Sequence, residues 1–310
     1  MSSGSPEEEQ LVRGVRDLSG IPNSRGPSDA HVLAGVRGFV KAFDYWYIRV
    51  MREAVPQYRR LIIMRINPFI RRIELEGCAA EEAADRLVED YNSRNFVTAG
   101  GWALEEMAIA ASPVAQKGSA TGIDLQRFDP DTGAYHLYVL KSGLVTRNSD
   151  ILKALKQNAR KAGKTLLQGR STGHVESHYA IAAGKTVSTF EDGIRRPSSA
   201  EFWGDVMVLE PHEAVELVFA IAAEAGRLVR RDASRHINAL KLLVREYVLS
   251  EDRSAVDWQF LMDRNMQPKA GWDAEDKRRH KSALQVLAAS GYDIKDPDAE
   301  TPAVQRLLGE

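Results

Sequence analysis

The sequence predicts a mixed α+β (α/β) fold in which helical N- and C-terminal parts flank a sheet-forming middle. Three observations carry this. Apolar residues recur at three- and four-residue steps from His31 onward, take a two-residue period at Ile123 and Leu125 followed by a strand-like apolar run from Tyr135 to Leu140, and return to helical spacing after Pro211. At 310 residues the chain has room for one large domain or two ordinary ones. No apolar run approaches the roughly 18 residues of a membrane span, and the start MSSGSPEEEQ lacks the pattern of a secretory signal. Cys78 is the single cysteine and has no histidine near it, so an inert thiol and a reducing cytoplasm are expected. Its 42 basic and 43 acidic residues balance, so the placement of charge must identify partners.

Taken in order, residues 1–28 are rich in Ser, Gly, Pro and charge and read as a flexible tail. Val36, Phe39, Val40, Phe43 and Tyr47 mark a helix, a mixed run containing Asn67-Pro68-Phe69 follows, and Glu81 to Tyr91 is helical again. Ile123 to Phe128 and Tyr135 to Leu140 read as strands around a turn, Ile151 to Lys164 as a helix, and Ser177 to Ala183 and Val206 to Leu209 as short buried strands.

The hairpin can be registered from its turn. Pro130-Asp131-Thr132-Gly133 forms a four-residue loop that pairs Asp129 with Ala134. Continued, this register sets Asp124 opposite Val139 and places Lys141 diagonally from Asp124 on the same face. A helix carrying Glu105 and Glu106 precedes the sheet. Carboxylates beside a lysine suit metal-dependent phosphodiester hydrolysis, in which a divalent ion neutralises the phosphate and the lysine orients or deprotonates water. A plain surface cross-strand pair is the competing reading of Asp124 and Lys141.

The ordered set GWALEEMA, TGIDLQ and LYVLKSG, followed by a capped basic helix, resembles the PD-(D/E)XK nuclease superfamily. With RINPFI upstream and EFWGDV downstream, it is most similar to the PmeII-like group of type II restriction endonucleases. The resemblance covers about residues 60 to 210. It implies a restriction-endonuclease-like central mixed sheet flanked by helices, Mg²⁺-dependent cleavage of double-stranded DNA, and a homodimer that cuts both strands. Carried over by position, Asp124 and Lys141 are the motif aspartate and lysine and Glu105 is the acid of the preceding helix. The superfamily's second acid, two residues before the lysine, is Val139 here. The resemblance therefore implies that Glu105 or Glu106 supplies the missing carboxylate, or Gln157 a carbonyl, with the Leu140 main-chain carbonyl completing the shell. On this reading residues 1–28 are a tail, 29–225 the nuclease domain with its helical lead-in, and 226–310 a helical DNA-contacting part.

The helix after Lys141 starts near Ser149 or Asp150, behind the capping residues Thr146 to Asn148. Its polar side carries Lys153, Lys156, Gln157, Arg160 and Lys164 without a carboxylate, which suits phosphate contact as well as a solvated face. The Ser142-Gly143 corner can present N–H groups to a phosphate. Between Gly226 and Val248, Arg227, Arg230, Arg231, Arg235, Asn238, Lys241 and Arg245 gather on one helix face, and Lys277 to Lys281 is a second basic cluster. DNA-backbone attachment and an ordinary soluble surface both fit them. His174 and His178 are four apart, but Gly173 and the strand-like run argue against a helical metal pair. Both GKT triplets lack the upstream glycine of a phosphate loop. The functions left are a site-specific endonuclease paired with a protective DNA methyltransferase, a non-specific DNA-degrading anti-phage effector activated by a partner, and an inactive nuclease-fold DNA-binding protein.

Overall fold

The computed structural model describes residues 5–143, 149–167, 174–184, 187–191, 193–266, 272–297 and 302–309. It has the mixed α+β class expected, with helical parts on both sides of a six-stranded sheet in sequence. The chain forms two compact units, each from two stretches: Met1–Ala42 with Gly100–Arg227, and Phe43–Ala99 with Leu228–Glu310.

The first unit opens with α1 (Pro6–Ser19), a helix where a tail was expected. Ser5 and Glu8 form a reciprocal capping box, Pro6 stands in the first turn, and Gly20 closes the end at φ 67°. Val15 is fully buried. Its partners at helical spacing, Leu11, Val12 and Leu18, are diluted by charge, which hides the amphipathic stripe from a reading of composition. Helix α2 (Asp29–Phe43) follows, and a Cβ at Gly38 would stand 3.0 Å from the Glu106 carbonyl oxygen. Glycine thus lets α2 rest on the main chain of the helix that bears the two glutamates.

Short helices α3 (Arg49–Ala54), α4 (Tyr58–Leu61) and α5 (Pro68–Glu74) belong to the second unit. The long α6 (Ala80–Ala111) contributes its first part to that unit and its last part to the first.

The sheet contains β1 (Ala115–Lys117), β2 (Leu125–Asp129), β3 (Ala134–Lys141), β4 (His174–Ile181), β5 (Thr189–Glu191) and β6 (Ile194–Arg196), in the order β1-β2-β3-β4-β6-β5. Strands β1, β2 and β3 are antiparallel neighbours, β3, β4 and β6 run parallel, and β5 is antiparallel to β6. A parallel β3–β4 pair needs a crossover, and α7 (Ser149–Leu167) lies within it, beginning where the capping residues predict. Those residues, Thr146 to Asn148, lie outside the described ones.

Alternation along β3 splits its side chains between two faces. Tyr135, Leu137 and Val139 join Ile123, Tyr179, Ile194 and Ala162 of α7 in one buried cluster. Tyr138, on the other face, stacks on His178 and meets Phe202 edge-on. Phe202 belongs to α8 (Ser199–Met207). The strand expected at Val206 to Leu209 is therefore the end of a helix and its exit. A Ser198/Glu201 capping box starts α8, and Val208, at φ 56°, ends it. The apolar run at its end mimics a buried strand because a short helix and a short strand share that signal.

Everything after Pro211 is helical in the main: α9 (Pro211–Val248), α10 (Trp258–Met266), α11 (Ala274–Ala289) and α12 (Ala303–Leu308). In the second unit, Asp85 of α6 pairs with Lys241 at 3.4 Å and Arg245 at 2.6 Å. Arg279, in the basic cluster, is buried. It donates to the Tyr247 and Leu249 carbonyls, pairs with Asp257 and lies 4.0 Å over the Phe260 ring.

Candidate active site

The hairpin has the register its turn implies: Asp129 pairs with Ala134 and Leu125 with Tyr138. One step further, the Asp124 N–H donates to the Tyr138 carbonyl at 2.9 Å, which keeps Asp124 opposite Val139. Asp124 Oδ2 accepts the Leu140 N–H at 2.6 Å. This bond fixes the carboxylate plane beside the strand that ends in Lys141.

The backbone before Asp124 is shaped by two glycines. Gly118 donates to the Asp124 carbonyl at 3.1 Å, and a Cβ there would stand 2.1 Å from the Ile123 carbonyl oxygen. Gly118→Ala must move this loop, and we expect it to lower stability by about 1–3 kcal/mol. Thermal denaturation checks this; an unchanged Tm would show that the loop yields freely. Gly122 has φ +77°, with the Asn158 side chain of α7 lying directly against it. Nothing in the local sequence pattern singles out Asn158.

Glu105 reaches the same place from α6. Gly101, one turn earlier on that face, abuts Ser142: a Cβ there would be 3.5 Å from Ser142 Oγ. The Glu105 carboxyl is pushed up to about 7, first by burial, then by the Asp124 and Glu106 carboxylates, against the opposing pull of Lys117 and Lys141. Glu105, carried by α6, therefore feels the charges of both Asp124 and Lys141 of the hairpin. Glu106 instead lies 3.6 Å from Lys117 of β1. Val139 is packed in the cluster under α7, where an acid would lose solvation without a partner.

A model of the type II restriction endonuclease EcoO109I family matches residues 49–227, a span that contains all three residues. The chain belongs to this family. It is a nuclease of restriction-endonuclease type, and the match is to the EcoO109I family, with nothing to single out the PmeII-like group. No curated protein matches the sequence. Members of such families work with divalent metal ions.

The other sequence candidates fall in different surroundings. Lys153, Gln157 and Arg160 are exposed on α7, and Lys156 is partly so. Arg227 pairs with Glu224, Arg231 stands 3.6 Å from Asp232, and Arg235 lies 5.4 Å over the Tyr292 ring. Lys241 is 2.7 Å from Glu89, so its charge is neutralised within the second unit and not simply offered outward. No helix among the described residues is long and apolar enough to cross a membrane.

Proposed function

We propose that this protein is a Mg²⁺-dependent endonuclease that hydrolyses phosphodiester bonds of double-stranded DNA at defined sites, in defence against foreign DNA. The observation that carries the reading is that α6, resting by Gly101 against Ser142, brings Glu105 to the end of the hairpin where Asp124 is held by the Leu140 N–H beside Lys141. Two carboxylates that repel one another are relieved by a cation, and hard oxygen donors suit Mg²⁺. Asp124 and Glu105 would hold the ion, with the Leu140 carbonyl completing the shell. When bound, it supplies charge neutralisation for the scissile phosphate and a lowered pKa for the attacking water.

The remaining work belongs to the chain. Lys141 Nζ orients that water and stabilises the charge that grows on the phosphate oxygens. The Leu140 N–H holds Asp124 Oδ2, so the carboxylate does not reorganise as charge develops. Glu105, its proton released to solvent, would serve as the second carboxylate ligand. Gln157 and Glu106 stand in reserve as supporting oxygens, and Ser142 as a phosphate donor. Cutting both strands calls for a homodimer, and site-specific cutting in a cytoplasm calls for a cognate DNA methyltransferase.

Incubation of the purified protein with plasmid DNA across a Mg²⁺ titration tests the reading. Discrete fragments support it. A smear would assign a non-specific effector, and intact plasmid under all conditions a DNA-binding module.

DNA attachment is assigned to Lys153, Lys156 and Arg160 of α7, the helix that follows Lys141 in sequence, and then to Arg227, Arg231 and Arg235 of α9, whereas Lys241 is set apart by its pairing with Glu89. Replacing the three α7 cations by Gln should flatten the log–log salt dependence of duplex binding by about 0.9 for each phosphate that the protein no longer neutralises. An unchanged slope would assign this face to solvent.

A further inference from the structure

On the sheet face opposite Lys141, β3 and β4 bring together His136, Glu176 and His178. The parallel register pairs His136 with Glu176 and Tyr138 with His178, and the strand period puts these side chains on one face. His136 Nδ1 lies 3.0 Å from His178 Nε2, and Glu176 Oε2 lies 3.5 Å from the first and 3.8 Å from the second. Three donors at about 2.0–2.1 Å from a tetrahedral zinc ion stand about 3.3–3.4 Å apart. The triangle has the size of one such ion's ligand set.

The surroundings suit that role. The His178 side chain is wholly buried and that of His136 is 9 % exposed. Asp129 Oδ2 lies 3.8 Å from His136 Nε2, on the far side of the ring from the triangle, and adds negative charge beside it. His174 Nε2 is 3.2 Å from Glu176 Oε1 and so holds the oxygen that the triangle does not use. The charges of Arg127 and Arg195 oppose a cation here, and Asp129, Asp205 and Glu176 offset them.

We propose that His136, Glu176 and His178 bind one zinc ion, with a fourth position open to water, at a site separate from Glu105, Asp124 and Lys141. The ion fastens β4 to β3, the strand that ends in Lys141. Two imidazoles and one carboxylate favour zinc over Mg²⁺, which takes oxygen donors.

The test uses the full chain with Asp124→Asn, so that the other candidate metal site is disabled, stripped with a chelator and dialysed. Zinc sulfate is titrated and bound metal is counted after gel filtration. About one equivalent should remain bound and Tm should rise. Cobalt(II) in place of zinc should show the visible absorption of a four-coordinate site. Glu176→Gln, at a partly exposed position, should weaken zinc binding about tenfold or more, and His136→Gln should do the same, with circular dichroism confirming the fold. No retained zinc in the Asp124→Asn chain, or retention equal in both further variants, would overturn the site.

Discussion

Asp124→Asn is expected to lower the Mg²⁺-dependent cleavage rate about 10³-fold, a loss of about 4 kcal/mol of transition-state charge stabilisation. The substitution keeps the side-chain volume and one carbonyl oxygen for the Leu140 N–H, which donates to Asp124 at 2.6 Å. What it removes is the negative charge that holds the ion. Duplex affinity, measured by gel shift with Ca²⁺, should stay within about threefold, because phosphate contacts from cations elsewhere dominate it. Cleavage at the wild-type rate would remove the hairpin from the chemistry.

Glu105→Gln is expected to abolish cleavage to a similar degree and to change its pH dependence. Burial and the neighbouring carboxylates push the wild-type carboxyl up to about 7, and in the proposed site its deprotonated form is the ligand. At limiting Mg²⁺ the wild-type rate should therefore rise about tenfold per pH unit below that value and level off above it. Saturating Mg²⁺ should move the bend to lower pH, since the ion competes with the proton. Stability gives an independent readout with the opposite sense. A carboxyl raised from 4.5 to about 7 by the fold contributes stability below the lower value and loses it as pH climbs through the upper one. In the metal-free protein, Glu105→Gln should raise Tm at pH 8, and the gain should shrink toward pH 5. Wild-type activity in this variant would move the missing acid to Glu106 or Gln157. A Tm difference independent of pH would show that Glu105 is not under the charge stress assigned to it.

The DNA-contact candidates separate by what neutralises them. Lys241 and Arg245 on α9 meet Glu81, Asp85 and Glu89 on α6, two stripes of opposite charge at helical spacing. The α9 stripe is readable in sequence as basic, but its acidic complement lies more than a hundred residues earlier. Arg279 shows the same effect in stronger form: a cluster that reads as a surface patch supplies a buried anchor to two carbonyls and a carboxylate.

What the sequence determined by itself was local. The turn residues from Pro130 to Gly133 between two strand-like runs set the hairpin register, and with it the opposition of Asp124 to Val139, because turn geometry acts over a few residues. The start of α7 followed from its capping residues in the same way. The capping boxes of α1 and α8 are equally local, yet a polar composition masks the first and a short apolar run the second. Only the tertiary structure gave Glu105 and Glu106 different surroundings, the first under the charge of Asp124 and Lys141, the second 3.6 Å from Lys117. The rotation of α6 about its axis depends on the contacts of Gly101 with Ser142 and of Gly38 with the α6 main chain, and packing is not encoded in the spacing of one helix. It also decided the cluster on the other face. His174, Glu176 and His178 share a strand face at two-residue steps, but His136 joins them through a parallel pairing across α7, and no local pattern specifies which strand lies beside which.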